Sequence, residues 1–195
     1  MFYIVGLGNP GDKYKGTRHN VGWVVLDFLR EELRMPNLMH EKQNSAEVTE
    51  GIISGEAVTV VYPDTYMNNS GAAVAKFVSK DESEKLIVIH DDIDLPFGEV
   101  KIGKGKGDGG NNGIKSIIQK LGTKDFVRVR VGIAPTSFWT GETKRPKGGG
   151  PLERFVLKPF SKKEDKQLES VKRLAMSAVQ EIIEKGAVVA MNKFN

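Results

Sequence analysis

The sequence Tyr3-Ile4-Val5-Gly6-Leu7-Gly8-Asn9-Pro10-Gly11, followed by Thr17-Arg18-His19-Asn20, sets the organisation of this chain. A short apolar strand runs into a glycine-rich loop, and a histidine lies at the foot of that loop. The chain has only 3 histidines. A histidine set among Thr, Arg and Asn beside the end of a strand is a candidate general base.

Length and composition predict one globular domain over residues 1–195, 39% hydrophobic and 28% charged. The absence of cysteine excludes disulfides, a thiol nucleophile and a thiolate metal site. No apolar run approaches the ~20 residues of a membrane span, and the N-terminus has no signal-peptide pattern. We therefore expect a cytoplasmic enzyme or binding protein with no membrane contact. A monomer is expected because no apolar interface stripe is visible.

Charge is unevenly distributed along the chain. Residues 98–163 contain fifteen Lys or Arg against five Asp or Glu, a net charge of +10, so the rest carries −6 within the total of +4. A basic middle with acidic flanks favours a polyanionic partner such as nucleic acid. A solvated lysine surface is the alternative.

The apolar pattern predicts an α/β fold with a mixed, mostly parallel sheet flanked by helices. Asn20 is a plausible N-cap for the first helix. Residues 135–151 are too polar and glycine-rich to pack, which predicts a mobile loop. Predicted strands cover 2–5, 47–53, 57–62, 85–90, 99–102 and 126–133, and predicted helices cover 21–33, 67–78, 112–121 and 162–186.

A dinucleotide-binding motif fails on its context. The glycines of 6–11 match G-x-G-x-x-G, but Pro10 intervenes and the helix begins near Asn20. The acidic residue expected ~20 positions later should end a second strand. Asp27 and Glu31 lie inside the predicted helix instead, so a Rossmann site is rejected.

A P-loop also fails, because Ile114 precedes Lys115 where the pattern requires glycine. The glycine run 103–113 still precedes a predicted helix. Backbone amides at such a position favour anions or carbonyl oxygens. A phosphate contact, a wall of the active site and a flexible turn remain open for this run.

An acidic segment follows the buried strand 86–89. Asp91, Asp92 and Asp94 are well placed to meet a catalytic histidine, since a carboxylate on Nδ1–H fixes the imidazole tautomer. Magnesium binding is a second interpretation of this segment. A turn before Pro96 with no functional role is the third. His90 is expected to be structural at the strand edge.

A second polar segment, 65–71, opens the helix predicted at 67–78. Asn68 and Asn69 are read as helix caps and Met67 as core. Ser70 lacks the G-x-S-x-G context of a hydrolase nucleophile. His40 is expected in a polar loop at the surface.

Taken together, seven segments resemble the bacterial-type peptidyl-tRNA hydrolase family, in the family's order and spacing over nearly the whole chain. They are IVGLGNPG (4–11), TRHNVGW (17–23), YMNNSG (66–71), HDDIDLPFG (90–98), GGNNGIKSI (109–117), FVRVRVGI (126–133) and RFVLKPF (154–160).

The resemblance implies a cofactor-independent, metal-independent esterase that cleaves peptidyl-tRNA between the peptide's C-terminal carbonyl and the 3′ ribose. It implies that His19 is the catalytic base, supported by Asp91, and that Asn9 distinguishes a blocked substrate from a free aminoacyl-tRNA. The remaining implied positions bind the peptide or the tRNA. They are Tyr14, Tyr66, Met67, Asn68 and Asn112, with Lys101 and Arg130 on tRNA phosphates.

Two positions depart from the family pattern. Asn111 stands where the family commonly has histidine, and Gly103 stands where it often has lysine, with Lys104 or Lys106 as substitutes. Asn111 can hydrogen-bond but cannot change charge in the working pH range, so activity is expected to survive. A non-catalytic RNA-binding protein on the same scaffold is the alternative function, and a metal-dependent phosphoesterase is a third.

Overall fold

The computed structural model describes residues 1–136, 143, 146 and 149–195. Its strands are β1 (Phe2–Gly6), β2 (Met39–Glu41), β3 (Ala46–Ile53), β4 (Glu56–Pro63), β5 (Leu86–Pro96), β6 (Val100–Lys104) and β7 (Val127–Ala134). They form one sheet in the order β2-β3-β4-β1-β5-β7-β6. The central strands β4, β1, β5 and β7 are parallel, and antiparallel pairings add β3, β2 and β6. The predicted mixed sheet is confirmed, with its parallel pairings at the centre.

The helices in this part of the chain are α1 (Val21–Glu32), α2 (Ser70–Val74), α3 (Asn112–Leu121), α4 (Gly150–Val156), α5 (Lys162–Lys185) and α6 (Ala187–Phe194). Neighbouring residues of β1 face opposite sides of the sheet. Ile4 joins a core with α1, α5 and α6, and Val5 joins a second core with α2 and α3. Helices therefore cover both faces. None of the described helices has the length and apolar character needed to cross a bilayer.

Close packing of α1 on the sheet places the candidate base. A Cβ added at Gly22 would lie 2.4 Å from the Leu7 nitrogen and 2.5 Å from the Ile89 oxygen, so only glycine allows this approach. The turn of 3-10 helix Arg18–Asn20 leads directly into α1. His19 is thereby brought past the carboxyl end of β1 and beside Asp91 in the middle of β5, near the edge at which parallel sheets bind ligands.

The structure differs from the predicted elements at several boundaries. β5 continues to Pro96, beyond the predicted strand end at residue 90, which rules out the alternative of a turn before that proline. Pairing with β7 carries the strand through Asp92, with an irregularity before Pro96. The helix predicted at 67–78 is shorter, with a 3-10 turn over Met67–Asn69 before α2 and turns after it.

Three elements were not predicted, each for a local reason. β2 has only three residues, and α6 follows Gly186, a residue that also ends α5. α4 begins inside the segment predicted as a mobile loop. Most of that loop, namely 137–142, 144–145 and 147–148, lies outside the described residues.

Arg18 fastens the turn that carries His19 to the start of α5. Its guanidinium binds both carboxylate oxygens of Glu164, at 2.6 and 3.2 Å, and donates to the carbonyl of Pro159 at 2.9 Å. It also lies 4.5 Å from the centre of the Phe155 ring. Glu164 in turn completes the capping box with Ser161. The Arg18 side chain is only 9% exposed, so this ion pair is shielded from solvent.

Replacing Arg18 by alanine is expected to destabilise the fold by about 3 kcal/mol, because it leaves a partly buried carboxylate without its partner. Urea unfolding followed by circular dichroism measures the loss. Arg173→Ala is the matched control, since Arg173 forms exposed pairs with Glu169 and Glu32 and exposed pairs contribute little. Equal losses in the two variants would contradict the anchoring role of Arg18.

Candidate active site

His19 and Asp91 form a hydrogen-bonded pair. The His19 Nδ1 lies 2.9 Å from Asp91 Oδ2, across 72 residues of sequence. The two side chains are 14% and 5% exposed. A carboxylate only accepts, so Nδ1 carries the proton and Nε2 is the basic nitrogen. The predicted contact between the histidine and the acidic segment is therefore present.

The environment of the pair shifts the titration of the imidazole. Burial lowers the pKa of His19, but the charge of Asp91 and its hydrogen bond outweigh this effect, so the pKa lies above its ordinary value of 6.5. The imidazolium formed after proton uptake is consequently stabilised. An imidazole oriented in this way can remove a proton from water at neutral or mildly alkaline pH.

Asn111 holds the other side of the same carboxylate. Its Nδ2 donates to Asp91 Oδ1 at 2.9 Å, while its Oδ1 accepts from the backbone nitrogens of Gly113 and Ile114 at 3.0 and 3.2 Å. Asn111 is thus the N-cap of α3. The amides that the glycine run offers at this helix start are occupied by the cap, and residues 108–112 form part of the cavity wall described below.

Asn9 is held from two directions. The buried side chain of Asn20 binds the backbone of Asn9. Its Oδ1 accepts from the Asn9 backbone nitrogen at 2.9 Å, and its Nδ2 donates to the Asn9 backbone oxygen at 3.0 Å. The Asn9 Oδ1 accepts from the backbone nitrogen of Met67 at 2.7 Å. The amide orientation of Asn9 is therefore fixed, with Nδ2 left as the group available to a ligand.

A cavity of about 590 Å³ contains these groups. It brings together every predicted residue of the catalytic and peptide-binding set. The described residues lining it include Asn9, Tyr14, His19, Tyr66, Met67, Asn68, Asp91, Asn111 and Asn112. The rings of Tyr14 and Tyr66 meet edge to face at its margin, 6.3 Å apart.

The two residues predicted to contact tRNA phosphates lie outside this cavity. Lys101 and Arg130 are cross-strand neighbours in the β6–β7 pairing, so their side chains share one face of the sheet. Arg130 Nε lies 2.7 Å from Asp92 Oδ2. Arg130 also lines a smaller cavity of about 310 Å³ with Lys106 and Arg128.

The alternation of β5 separates the Asp91 side chain from those of Asp92 and Asp94. Asp91 binds His19, whereas Asp92 binds Arg130. Asp94 is exposed, and its backbone nitrogen donates a hydrogen bond to Asp92 Oδ1 at 2.8 Å. Within residues 1–136, 143, 146 and 149–195, no group of three His, Cys, Asp or Glu has the geometry to hold a metal ion.

The other two histidines have different surroundings. His40 is exposed, as predicted, but on β2 rather than in a loop. His90 is buried within β5 instead of at its edge, and its Nδ1 donates to the Asp91 carbonyl at 2.7 Å. Burial lowers the pKa of His90 below its ordinary value, so this ring is neutral at pH 7.

The three asparagines predicted as helix caps make no side-chain cap: Asn20 and Asn69 precede helices without capping them, and Asn68 lies inside the 3-10 turn Met67–Asn69. Asn20 makes no side-chain cap on α1, since its amide binds Asn9. Asn69 precedes α2 without a side-chain hydrogen bond to it, and Asn68 faces the cavity. Met67 is buried as predicted, yet it also lines the cavity.

The sequence did not predict one wall of the cavity, nor the side chain that holds the backbone of Asn9 in place. The wall comes from α4, through Leu152, Glu153 and Val156. Its apolar spacing was obscured by the glycine-rich segment before it. That side chain is Asn20. Its position directly after the histidine indicated helix capping and nothing else.

A hydrogen-bonded histidine and carboxylate in a cavity at the carboxyl end of a parallel sheet define a site for general-base catalysis. Comparisons with known proteins identify the family. A family model described as peptidyl-tRNA hydrolase matches residues 3–195. The chain belongs to the peptidyl-tRNA hydrolase family, which hydrolyses an ester bond in peptidyl-tRNA, as the resemblance implied.

Individual relatives are similar along their whole length. The peptidyl-tRNA hydrolase of Thermodesulfovibrio yellowstonii is 40% identical, with 100% of this chain and 99% of the relative covered. That of Bdellovibrio bacteriovorus is 42% identical, with both chains covered in full. The crystal structure of peptidyl-tRNA hydrolase from Acinetobacter baumannii superimposes with a TM-score of 0.85 at 29% identity, covering 100% of this chain and 94% of the other.

Proposed function

We propose that this chain hydrolyses the ester between the C-terminal residue of a peptide and the 3′ ribose of tRNA, with His19 as general base. The observation that carries the proposal is the 2.9 Å contact of His19 Nδ1 with Asp91 inside the 590 Å³ cavity. Water is a poor nucleophile at neutral pH, so removing its proton during attack lowers the barrier.

The proton and electron pairs balance without a further reactant. His19 Nε2 takes a proton from water as the water oxygen bonds to the ester carbonyl carbon. The bond between that carbon and the ribose oxygen then breaks, and the imidazolium returns the proton to the departing ribose oxygen. Asp91 stays ionised throughout and stabilises the imidazolium.

The oxyanion formed during attack requires hydrogen-bond donors. Asn68 and Asn112 are assigned to this task or to binding the peptide backbone, because each carboxamide offers a donor and an acceptor. Both line the cavity with His19.

Asn9 is assigned to selecting blocked substrates. Its Oδ1 is taken by Met67, so its Nδ2 presents a donor. A peptide carbonyl accepts such a donor, whereas the ammonium of a free aminoacyl-tRNA would meet it with another donor. This mismatch favours substrates whose amino group is acylated.

Tyr14 and Tyr66 are assigned to the end of the tRNA. Tyr66 is 57% exposed, and the edge-to-face pair lies at the margin of the cavity that contains His19. Aromatic rings stack on unpaired bases without requiring a particular sequence. A substrate common to all tRNA 3′ ends suits such a surface.

The body of the tRNA is assigned to the basic 98–163 region, including Lys101 and Arg130. Replacing Lys101 by glutamate is expected to weaken tRNA binding and to reduce the slope of log K against log salt by about 1 or more. Filter binding at several salt concentrations measures both. Lys80→Glu is the control with the same change in net charge, because Lys80 is exposed and precedes β5, outside the basic 98–163 region. Equal effects of the two variants would place the tRNA path elsewhere.

Hydrolysis of N-acetyl-aminoacyl-tRNA beside unblocked aminoacyl-tRNA, with EDTA present, tests the function. Cleavage of only the blocked substrate supports the proposal. Loss of cleavage in EDTA that returns with a divalent cation would favour the metal-dependent phosphoesterase. Intact tRNA binding without cleavage in either condition would favour the RNA-binding alternative.

We also assign the protein to the cytoplasm as a monomer, in agreement with the absence of cysteine. The large apolar side chains exposed on the described residues are distributed over several elements, including Met39 on β2, Ile52 on β3, Leu174 on α5, and Val188 and Val189 on α6. Light scattering that gives 21.5 kDa supports the monomer, and twice that mass contradicts it.

A further inference from the structure

We propose that Asn111 is a positioning residue for the His19–Asp91 pair: its amide, anchored on the first turn of α3, holds the Asp91 carboxylate with Oδ2 towards His19. The inference rests on the proposed function for its catalytic consequence. Its geometric basis is independent of that function. The hydrogen bonds of Asn111 are to Asp91 and to the start of α3, so it acts on His19 through Asp91.

The orientation of the Asn111 amide is fixed by the backbone. Two N–H groups at the start of α3, those of Gly113 and Ile114, donate to its Oδ1. Helix amides can donate only, so the oxygen must face them. The nitrogen is then obliged to face Asp91, where it reaches Oδ1 at 2.9 Å and the main-chain oxygen at 3.3 Å.

Each oxygen of the Asp91 carboxylate thus has one side-chain donor. Oδ1 accepts from Asn111 and Oδ2 accepts from His19. The side chain is 5% exposed, so little solvent competes for either oxygen. Rotation of the carboxylate about its Cβ–Cγ bond would break both hydrogen bonds, which makes the plane of the carboxylate a consequence of the helix cap.

The same contact affects the strength of the base. A donor on Oδ1 draws negative charge away from Oδ2, and therefore weakens the stabilisation of the His19 imidazolium by Asp91. Removing that donor should raise the pKa of His19 further above its ordinary value. The other titratable groups lining the cavity among the described residues are Tyr14, Tyr66, His90, Asp92, Asp108 and Glu153, and the substitutions below leave all of them in place.

Serine and alanine at position 111 separate the two tasks of the residue. Asn111→Ser retains a side-chain oxygen that can cap α3, but its hydroxyl ends one bond short of the amide nitrogen. Asn111→Ala removes both the cap and the donor. Thermal unfolding shows whether the cap is retained, with Asn111→Ser expected close to the unsubstituted protein and Asn111→Ala below it.

The decisive measurement is the pKa of His19 by NMR titration of the histidine-labelled protein. The chain has 3 histidines, and His40→Ala and His19→Ala assign the signals. We expect both substitutions at 111 to raise the pKa of His19 by about 0.5 to 1 unit. The acidic limb of the pH profile of kcat/KM should move to higher pH by the same amount, with KM unaltered.

Three results would overturn the inference: an unaltered pKa of His19 in both variants, a lower one in both, or a shift in Asn111→Ala alone, which would trace the effect to the helix start. The titration does not require turnover. Failure of the proposed function would appear separately, as an unsubstituted protein that cleaves no blocked substrate.

Discussion

Replacing His19 by alanine is expected to lower kcat for N-acetyl-aminoacyl-tRNA by about 10²–10⁴-fold, the range that a positioned general base contributes. The affinity for substrate should change little, because the groups assigned to peptide and tRNA binding remain. Single-turnover hydrolysis measures the chemical step directly. It separates that step from binding and from product release.

The fold should tolerate this substitution. The side-chain hydrogen bond of His19 is to Asp91, and the Asp91 carboxylate keeps its contact with Asn111 in the variant. His40→Ala is the matched control, since it removes an exposed imidazole from β2. A His19→Ala protein that hydrolyses within a few-fold of the unsubstituted rate would remove His19 from the mechanism.

The positions of the central strands could be predicted from sequence because their residues alternate between two apolar environments. The run Leu86-Ile87-Val88-Ile89 is buried on both faces of the sheet, as its composition indicates. The length of β5 could not be predicted, since Asp91 and Asp92 belong to a strand only through pairing with β7. Polar residues inside a strand depend on their tertiary partners, which local propensity does not contain.

The candidate site likewise has contacts that could be predicted from the sequence and contacts that could not. His19 and Asp91 were predictable as partners because the loop that leads to His19 follows the predicted strand 2–5 and Asp91 directly follows the predicted strand 85–90. Parallel strands bring such ends together. The role of Asn20 was not predictable, because an asparagine before a helix is read as a cap from sequence alone. The role of Asn111 was not, because the sequence does not show which groups its amide binds. Asn111 does cap its helix, but its second hydrogen-bonding group reaches 20 residues back to Asp91. The Oδ1 and Nδ2 of Asn20 both bind the backbone of Asn9, and its side chain does not cap α1.

Replacing Asp91 by asparagine is expected to lower kcat by about 10²–10⁴-fold while leaving tRNA binding nearly intact. The reason lies in the polarity of the neighbouring amide. Asn111 presents Nδ2 to position 91, so an asparagine there must offer its oxygen to Asn111 and its NH₂ group to His19. His19 Nδ1 then has to accept, which puts the ring proton on Nε2 and leaves no lone pair there to receive the proton of water.

A pH profile and one further substitution test this explanation. Without the charge of Asp91, which raises the pKa of His19 against the opposing effect of burial, the acidic limb of kcat/KM should move to lower pH although its plateau falls. In a protein that also carries Asn111→Ser, the amide at 91 is free to turn and to present its oxygen to His19. The double variant should therefore lose less than the product of the two single losses. Asp92→Asn is the control, since that carboxylate binds Arg130, and multiplicative losses in the double variant would show that amide polarity does not set the His19 tautomer.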